Sequence, residues 1–232
     1  PPSVFPLPPP PPPCYRFRRM DVLPIQPPDP VRPVPPRDSA YGHSQRFAPV
    51  WDLLCLRTFL HQRTRHLAHF IDTRFFGSLE KGLGQTLTTH PQARLAVIHA
   101  TSTGIGQVAA VADILKRLQP SLQTAICGPH PSRFPALARV PHVDFALCGD
   151  PEPILRNLID SFDSAQRLRR VPGLGLPLQD PPEPYWLPDL KSLSLTDWEG
   201  VSWPGYRLPP PRQGALAELQ LARGHTRDLR DR

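Results

Sequence analysis

The sequence predicts an α/β protein: a doubly wound, five-stranded parallel Rossmann-like (flavodoxin-like) sheet with proline-rich extensions at both ends. Three observations carry this. Short apolar runs alternate with amphipathic stretches of helical spacing, in the order β-α-β-α-β-α-β-α-β-α. Two of the runs, Thr124–Cys127 and Val143–Cys148, break into loops punctuated by Gly and Pro, as the buried strands of an open sheet do beside a ligand crevice. Finally, of 35 prolines, 17 lie in residues 1–50, only Pro91 falls between 50 and 119, and a second cluster spans Pro177–Pro211. A compact middle, roughly residues 50–175, therefore sits between two proline-stiffened segments.

The elements follow in order. Met20–Gln26 reads as a strand ending in Pro27-Pro28, and with it the middle is long enough to bury its own core. Residues 29–48 lack periodicity and read as a loop. Residues 50–65 place Leu53, Leu56, Phe59 and Leu60 on one helical face. His66–Ile71 is a strand ending at Asp72, and Ser78–Leu87 a short helix. Leu95–His99 is a strand running into Ala100-Thr101-Ser102-Thr103-Gly104. Residues 105–118 space Ile105, Val108, Ala109, Ala112 and Leu115 by threes and fours, a helix packing on a sheet that Pro120 stops. Then come strand 123–127, a helical piece near Pro135–Ala138, strand 143–148, and a helix over 152–162 carrying Ile154, Leu155, Leu158, Ile159 and Phe162. Right-handed crossovers put the loops 27–30, 100–104, 128–132 and 149–152 at the carboxyl ends of the strands, where such sheets bind ligands.

Composition narrows the function classes. The net charge of +7 suggests nucleic acid, but three arginines in residues 1–19 and four in 223–232 supply most of it. The body is close to neutral and is not expected to bind nucleic acid. Cys14, Cys55, Cys127 and Cys148 show no metal-binding spacing; Cys127 and Cys148 read as small buried apolar residues in a reducing cytosol. No run approaches the ~18 apolar residues of a membrane span. The N-terminus has proline where a signal peptide needs a helical apolar core, so the expected location is cytoplasmic. The only methionine is Met20, and residues 1–19 read as a disordered proline-rich extension.

Three loops are candidates for chemistry. Thr101-Ser102-Thr103-Gly104-Ile105-Gly106 superficially resembles a short-chain dehydrogenase fingerprint. It follows the third strand rather than the first, lacks the preceding glycine, and no tyrosine has a lysine four residues on. It offers either hydroxyls and a close backbone approach to a polar ligand, or simply a capped helix start. In Gly128-Pro129-His130-Pro131-Ser132 the prolines fix the loop before any ligand arrives, which suits a large rigid ligand. His130 either bonds a ligand amide or phosphate or caps the loop. In Gly149-Asp150-Pro151-Glu152, Asp150 suits the N-cap and Pro151 the first helical position. His61, His66 and His69 invite a metal reading, but no carboxylate or cysteine completes a set in the sequence, so they read as surface or satisfied histidines and no metal ligands are assigned.

Taken in order, these loops resemble the cobalamin-binding domain at the N-terminus of cobalamin-dependent radical S-adenosylmethionine proteins. That family shows Gly-Gly-x-His-Pro-Thr after the fourth strand, matched here by Cys127-Gly128-Pro129-His130-Pro131-Ser132. After the fifth it shows Val-Asp-Tyr/Phe-x-x-x-Gly-Glu-Gly-Glu and a leucine-rich helix, matched by Val143-Asp144-Phe145 through Gly149-Asp150-Pro151-Glu152. A Pro-Gly-Leu strand follows at Val171-Pro172-Gly173-Leu174, then a linker at Leu187-Pro188-Asp189-Leu190 through Asp197-Trp198. The resemblance covers about residues 20–224 and departs from the pattern at Cys127, Asp150 and Pro151.

The resemblance implies a base-off corrin lying on the carboxyl edge of the sheet. Its contacts would come from Thr101, Ser102, Thr103 and Gly104, from Gly128, Pro129, His130, Pro131 and Ser132, and from Gly149, Asp150 and Glu152. No side chain is expected to ligate cobalt, because the Asp-x-His-x-x-Gly loop is absent here and in the family. It also implies a domain order: extension 1–19, cobalamin-binding domain 20–165, linker 166–213, and the start of a radical S-adenosylmethionine domain at 214–232. In the family that last segment carries Arg-Gly-Cys-x-x-x-Cys-x-x-Cys. Here the three cysteine positions hold His225, Leu229 and Arg232. A 4Fe-4S cluster needs thiolates, leucine cannot ligate, and arginine stays protonated. The cluster and S-adenosylmethionine chemistry are therefore not supported by these residues, and the catalytic partner would be the remainder of the radical domain in an intact relative. The expectation is binding of cobalamin without catalysis. Competing readings are a non-catalytic module acting through its proline-rich arms and an enzyme using the same fold on a nucleotide or sugar.

Overall fold

The computed structural model describes residues 19–29, 50–137, 139–189, 193, 196, 197 and 201. The expectations for residues 1–18, for most of the 29–48 loop, and for 202–232 with its cysteine-replaced positions lie outside them.

The core is a mostly parallel sheet. Strand β1 (Asp21–Gln26) pairs with β2 (Leu67–Ala68) and β3 (Ile71–Asp72) on one side and with β4 (Ala93–His99) on the other; β5 (Gln123–Cys127) and β6 (Phe145–Leu147) follow, all parallel. β7 (Leu174–Gly175) closes the edge antiparallel to β6. With β2 and β3 taken as one interrupted strand, the parallel order is 2-1-3-4-5, the flavodoxin-like winding. The predicted five parallel strands are thus present, with a short antiparallel strand added.

The break between β2 and β3 has a cause in the sequence. His69 N–H donates to Val22 O at 2.9 Å, so the parallel register directs the next β1 donor, residue 24, at the His69 carbonyl. Residue 24 is proline and has no N–H, so the ladder skips there and resumes at Ile25–Ile71. The single strand predicted over 66–71 is therefore two.

Helices cover both faces. Along β4, Leu95 and Val97 point to one face and Ala96 and Ile98 to the other. Against the first lie α1 (Trp51–Arg63) and α5 (Pro151–Ser161), through Leu53, Leu56, Leu60, Leu155 and Leu158. Against the second lie α2 (Leu79–Thr89) and α3 (Ile105–Leu118), through Leu83, Val108, Val111 and Leu115. Helix α1 is buried on more than the predicted face. Leu54 packs with Val201 and Phe70, and Thr58 Oγ1 accepts from Asp197 N at 2.8 Å, so Asp197 and Val201 lie along its outer side. None of the described helices is long and apolar enough to cross a membrane.

Asp144, in the Val-Asp-Phe motif, serves the fold. Its Oδ2 accepts from Lys116 Nζ at 2.6 Å, Thr124 N at 2.8 Å and Thr124 Oγ1 at 3.1 Å, tying α3, β5 and the start of β6 together. Cys127 and Cys148 are buried, as the sequence led us to expect, and Cys55 is buried too.

Candidate functional site

The loops after β4, β5 and β6 meet at the carboxyl edge of the sheet. β5 ends at Cys127, and Gly128 follows at φ 103°, a left-handed conformation that glycine alone adopts without strain. The close approach demands glycine as well: a Cβ there would stand 2.8 Å from the His99 ring and 3.2 Å from Ala100 O. The segment after it, predicted as a loop, is a short helix, α4 (Pro129–Arg133), with proline at its start. Pro129 supplies the helical φ and lacks the N–H that would go unpaired at that position, which is why a proline-rich stretch coils here.

Backbone and side-chain bonds join the loops. Ala100 N donates to Cys127 O at 2.8 Å and His130 N to Ala100 O at 3.0 Å. Ser102 Oγ lies 3.1 Å from His130 Nδ1. Ser132 Oγ accepts from Gly149 N at 3.0 Å and faces the carbonyls of Gly128 (2.8 Å) and Gly149 (3.2 Å). Thr101 Oγ1 accepts from Gly104 N at 3.1 Å, closing the turn that starts α3.

The expected site residues separate by exposure. Ser102, Thr103 and Pro129 are exposed, and Thr101 and Ser132 half-buried. Gly104, Gly128, His130, Pro131, Gly149, Asp150 and Glu152 are buried. Asp150 does not act as the helix cap the sequence suggested. Its side chain makes no hydrogen bond to the first turn of α5; instead Oδ2 accepts from Leu187 N at 2.6 Å. Asp150 N donates to Tyr185 O, and Tyr185 N to Cys148 O, both at 2.8 Å. Residues 185–187 thus lie along the loop after β6, and Gly149, at φ 112°, is where they press closest.

Two residues at this edge escaped the sequence reading. His99 ends β4, is buried against Gly128, and sets its Nε2 3.6 Å from Asp52 Oδ2 at the start of α1. Gln26 ends β1; its Oε1 is buried with no hydrogen-bond partner among the described residues. A polar residue closing a buried apolar run was the available signal, since that position faces the crevice. The cavity of about 200 Å³ lined by Val143, Phe145, Leu176 and Pro182 lies on the β6–β7 flank and includes none of the expected residues.

Burial raises the Cys148 thiol to about 12, so it is no nucleophile at neutral pH.

No family model matches the chain, and no curated protein matches it by sequence. Solved structures do. The radical S-adenosylmethionine methyltransferase TsrM from Kitasatospora setae, with tryptophan substrate and a S-adenosylmethionine analogue bound, aligns at TM-score 0.52 and 18% identity, over 70% of this chain and 31% of that one. The same enzyme with cobalamin and a [4Fe-4S] cluster bound aligns at TM-score 0.52 and 19% identity, over 67% and 28%. The cobalamin-dependent S-adenosylmethionine radical enzyme OxsB, with aqua-cobalamin and S-adenosylmethionine bound, aligns at TM-score 0.57 and 11% identity, over 78% and 24%. This chain therefore spans less than a third of each. At these identities the likeness is one of architecture: the chain has the flavodoxin-like α/β fold found in one part of cobalamin-dependent radical S-adenosylmethionine enzymes.

Proposed function

We propose that the carboxyl edge of the sheet binds a cobalamin, and that this chain contributes binding rather than catalysis. The observation that carries the reading is the joining of the 100–104, 128–133 and 149–152 segments into one bonded surface by Ser102–His130, His130–Ala100 and Ser132–Gly149. The solved structures of like fold include two with cobalamin or aqua-cobalamin in place.

The residues suit such a ligand. Ser102 and Thr103 present exposed hydroxyls to corrin amides or to the nucleotide tail, and Pro129 offers a rigid apolar contact. Gln26 Oε1 is an acceptor lacking a donor among the described residues, which a ligand amide N–H would satisfy. Thr101, Gly104, Gly128, His130, Pro131 and Ser132 hold the surface in shape. Gly149, Asp150 and Glu152 set the loop after β6, with Asp150 spent on Leu187. When bound, cobalamin supplies the cobalt chemistry of methyl transfer or a related radical step; the protein's share is to orient and shield it. His225, Leu229 and Arg232 stand where that chemistry would need cluster thiolates.

The test is co-elution. The purified chain is mixed with hydroxocobalamin and desalted. Corrin absorbance travelling with the protein, approaching one per chain, supports the proposal; corrin-free protein overturns it. In that event the cover of Tyr185–Leu187 over the 149–150 loop favours the non-catalytic interaction module.

A further inference from the structure

At the opposite, amino-terminal end of the sheet, three side chains from separate segments converge. Asp21 opens β1, His69 sits at the gap between β2 and β3, and His90 caps the carboxyl end of α2. One ligand atom from each lies within 4.8 Å of the other two. The His69 and His90 rings stack with centroids 4.0 Å apart and planes 24° apart, and His69 Nε2 is 3.5 Å from Asp21 Oδ2.

We infer that Asp21, His69 and His90 form a binding site for a divalent transition metal of the zinc class, with a fourth position open to water.

Two imidazoles and a carboxylate suit zinc, cobalt or nickel, and disfavour magnesium and calcium, which want oxygen alone. A tetrahedral ion with bonds of about 2.0–2.1 Å needs donors roughly 3.4 Å apart. The Asp21–His69 separation of 3.5 Å already meets this, and the His90 donor, within 4.8 Å of both, has to swing closer on binding. The backbones are pinned beforehand: His69 N to Val22 O at 2.9 Å, His90 N to Thr86 O at 2.9 Å, and Ala93 N to His90 O at 3.0 Å. Such anchoring favours a preformed site.

A second observation points to a missing ligand. His69 Nε2 is buried and makes no hydrogen bond among the described residues; its contact with Asp21 is too poorly formed to count as one. Buried ring nitrogens are ordinarily satisfied, and a metal ion satisfies this one. The other histidines considered as ligands do not join: His61 Nε2 accepts from Ala68 N at 3.0 Å and His66 Nδ1 from Met20 N at 3.2 Å. The set was hidden in the sequence because β1 and the end of α2 supply two of its three members.

The site is tested on the full chain stripped with chelator and titrated with Co²⁺, then Zn²⁺. The expected result is one Co²⁺ per chain with visible bands of tetrahedral intensity, displaced by Zn²⁺. Asp21→Asn and His90→Gln should each weaken binding roughly tenfold or more, while His142→Gln, at a histidine outside the set, should not. Absence of the bands, or unchanged affinity in the two ligand variants, overturns the site. Should either variant misfold, wild-type protein decides. Of its nine histidines, only His69 and His90 should shift their ring ¹⁵N resonances on adding one equivalent of Zn²⁺. Shifts at other histidines, or at none, overturn the inference.

Discussion

The Ser132 hydroxyl accepts from Gly149 N at 3.0 Å while its one proton faces the carbonyl of Gly128 at 2.8 Å. One side chain thereby joins the segment after β5 to the loop after β6. Ser132→Ala leaves the Gly149 N–H without its acceptor, at a cost of about 1–3 kcal/mol. A lowered denaturation midpoint is expected, with weaker retention of hydroxocobalamin. A stability equal to wild type would show that the two loops hold together without Ser132.

Gly149 carries a second constraint. Its φ is 112°, and a Cβ there would collide with the backbone of Tyr185. Gly149→Ala should destabilise by at least about 2 kcal/mol and release residues 185–187, read as new protease cleavage near Tyr185. An uncleaved, fully stable variant would contradict the packing described.

His66 makes stability depend on pH. Burial pushes its pKa below 6.5, with Asp160 opposing and Arg65 adding to the shift. The unfolded chain then binds a proton that the folded chain resists. Stability is full above about pH 6.5 and falls as the pH drops below it. His69, lowered chiefly by burial, adds a loss of the same sign. Thermal melts across this range should show the decline, and His66→Gln should flatten part of it. Equal slopes in both proteins would remove His66 from the account.

Cys148 behaves oppositely at high pH. Its thiol is raised from 9.0 to about 12 by burial, so the stability it contributes is present below pH 9.0 and lost as the pH climbs toward 12. In the folded protein at pH 8 it should resist iodoacetamide and react promptly once unfolded, as peptide mapping will show. Fast labelling in the native state would mean that the β6 edge opens.

Much of the frame was legible in the sequence. Helix α3 and strand β5 fall on residues 105–118 and 123–127 as expected, because unbroken apolar spacing and the stops at Pro120 and Gly128 bound them. What depended on distant partners was not. The split of β2 from β3 required knowing that Pro24 would face His69. Asp150 looked like a local cap because nothing local shows Leu187 arriving to take its carboxylate. His99 and Gln26 were read as strand ends, and only the sheet order places them at the crevice beside Gly128.

Hydrogen exchange of the full chain with and without hydroxocobalamin tests the central claim most directly. The account predicts slowed exchange concentrated in residues 101–104 and 128–133, with the Asp21, His69 and His90 end of the sheet unchanged. Uniform exchange, or protection confined to other segments, would contradict it.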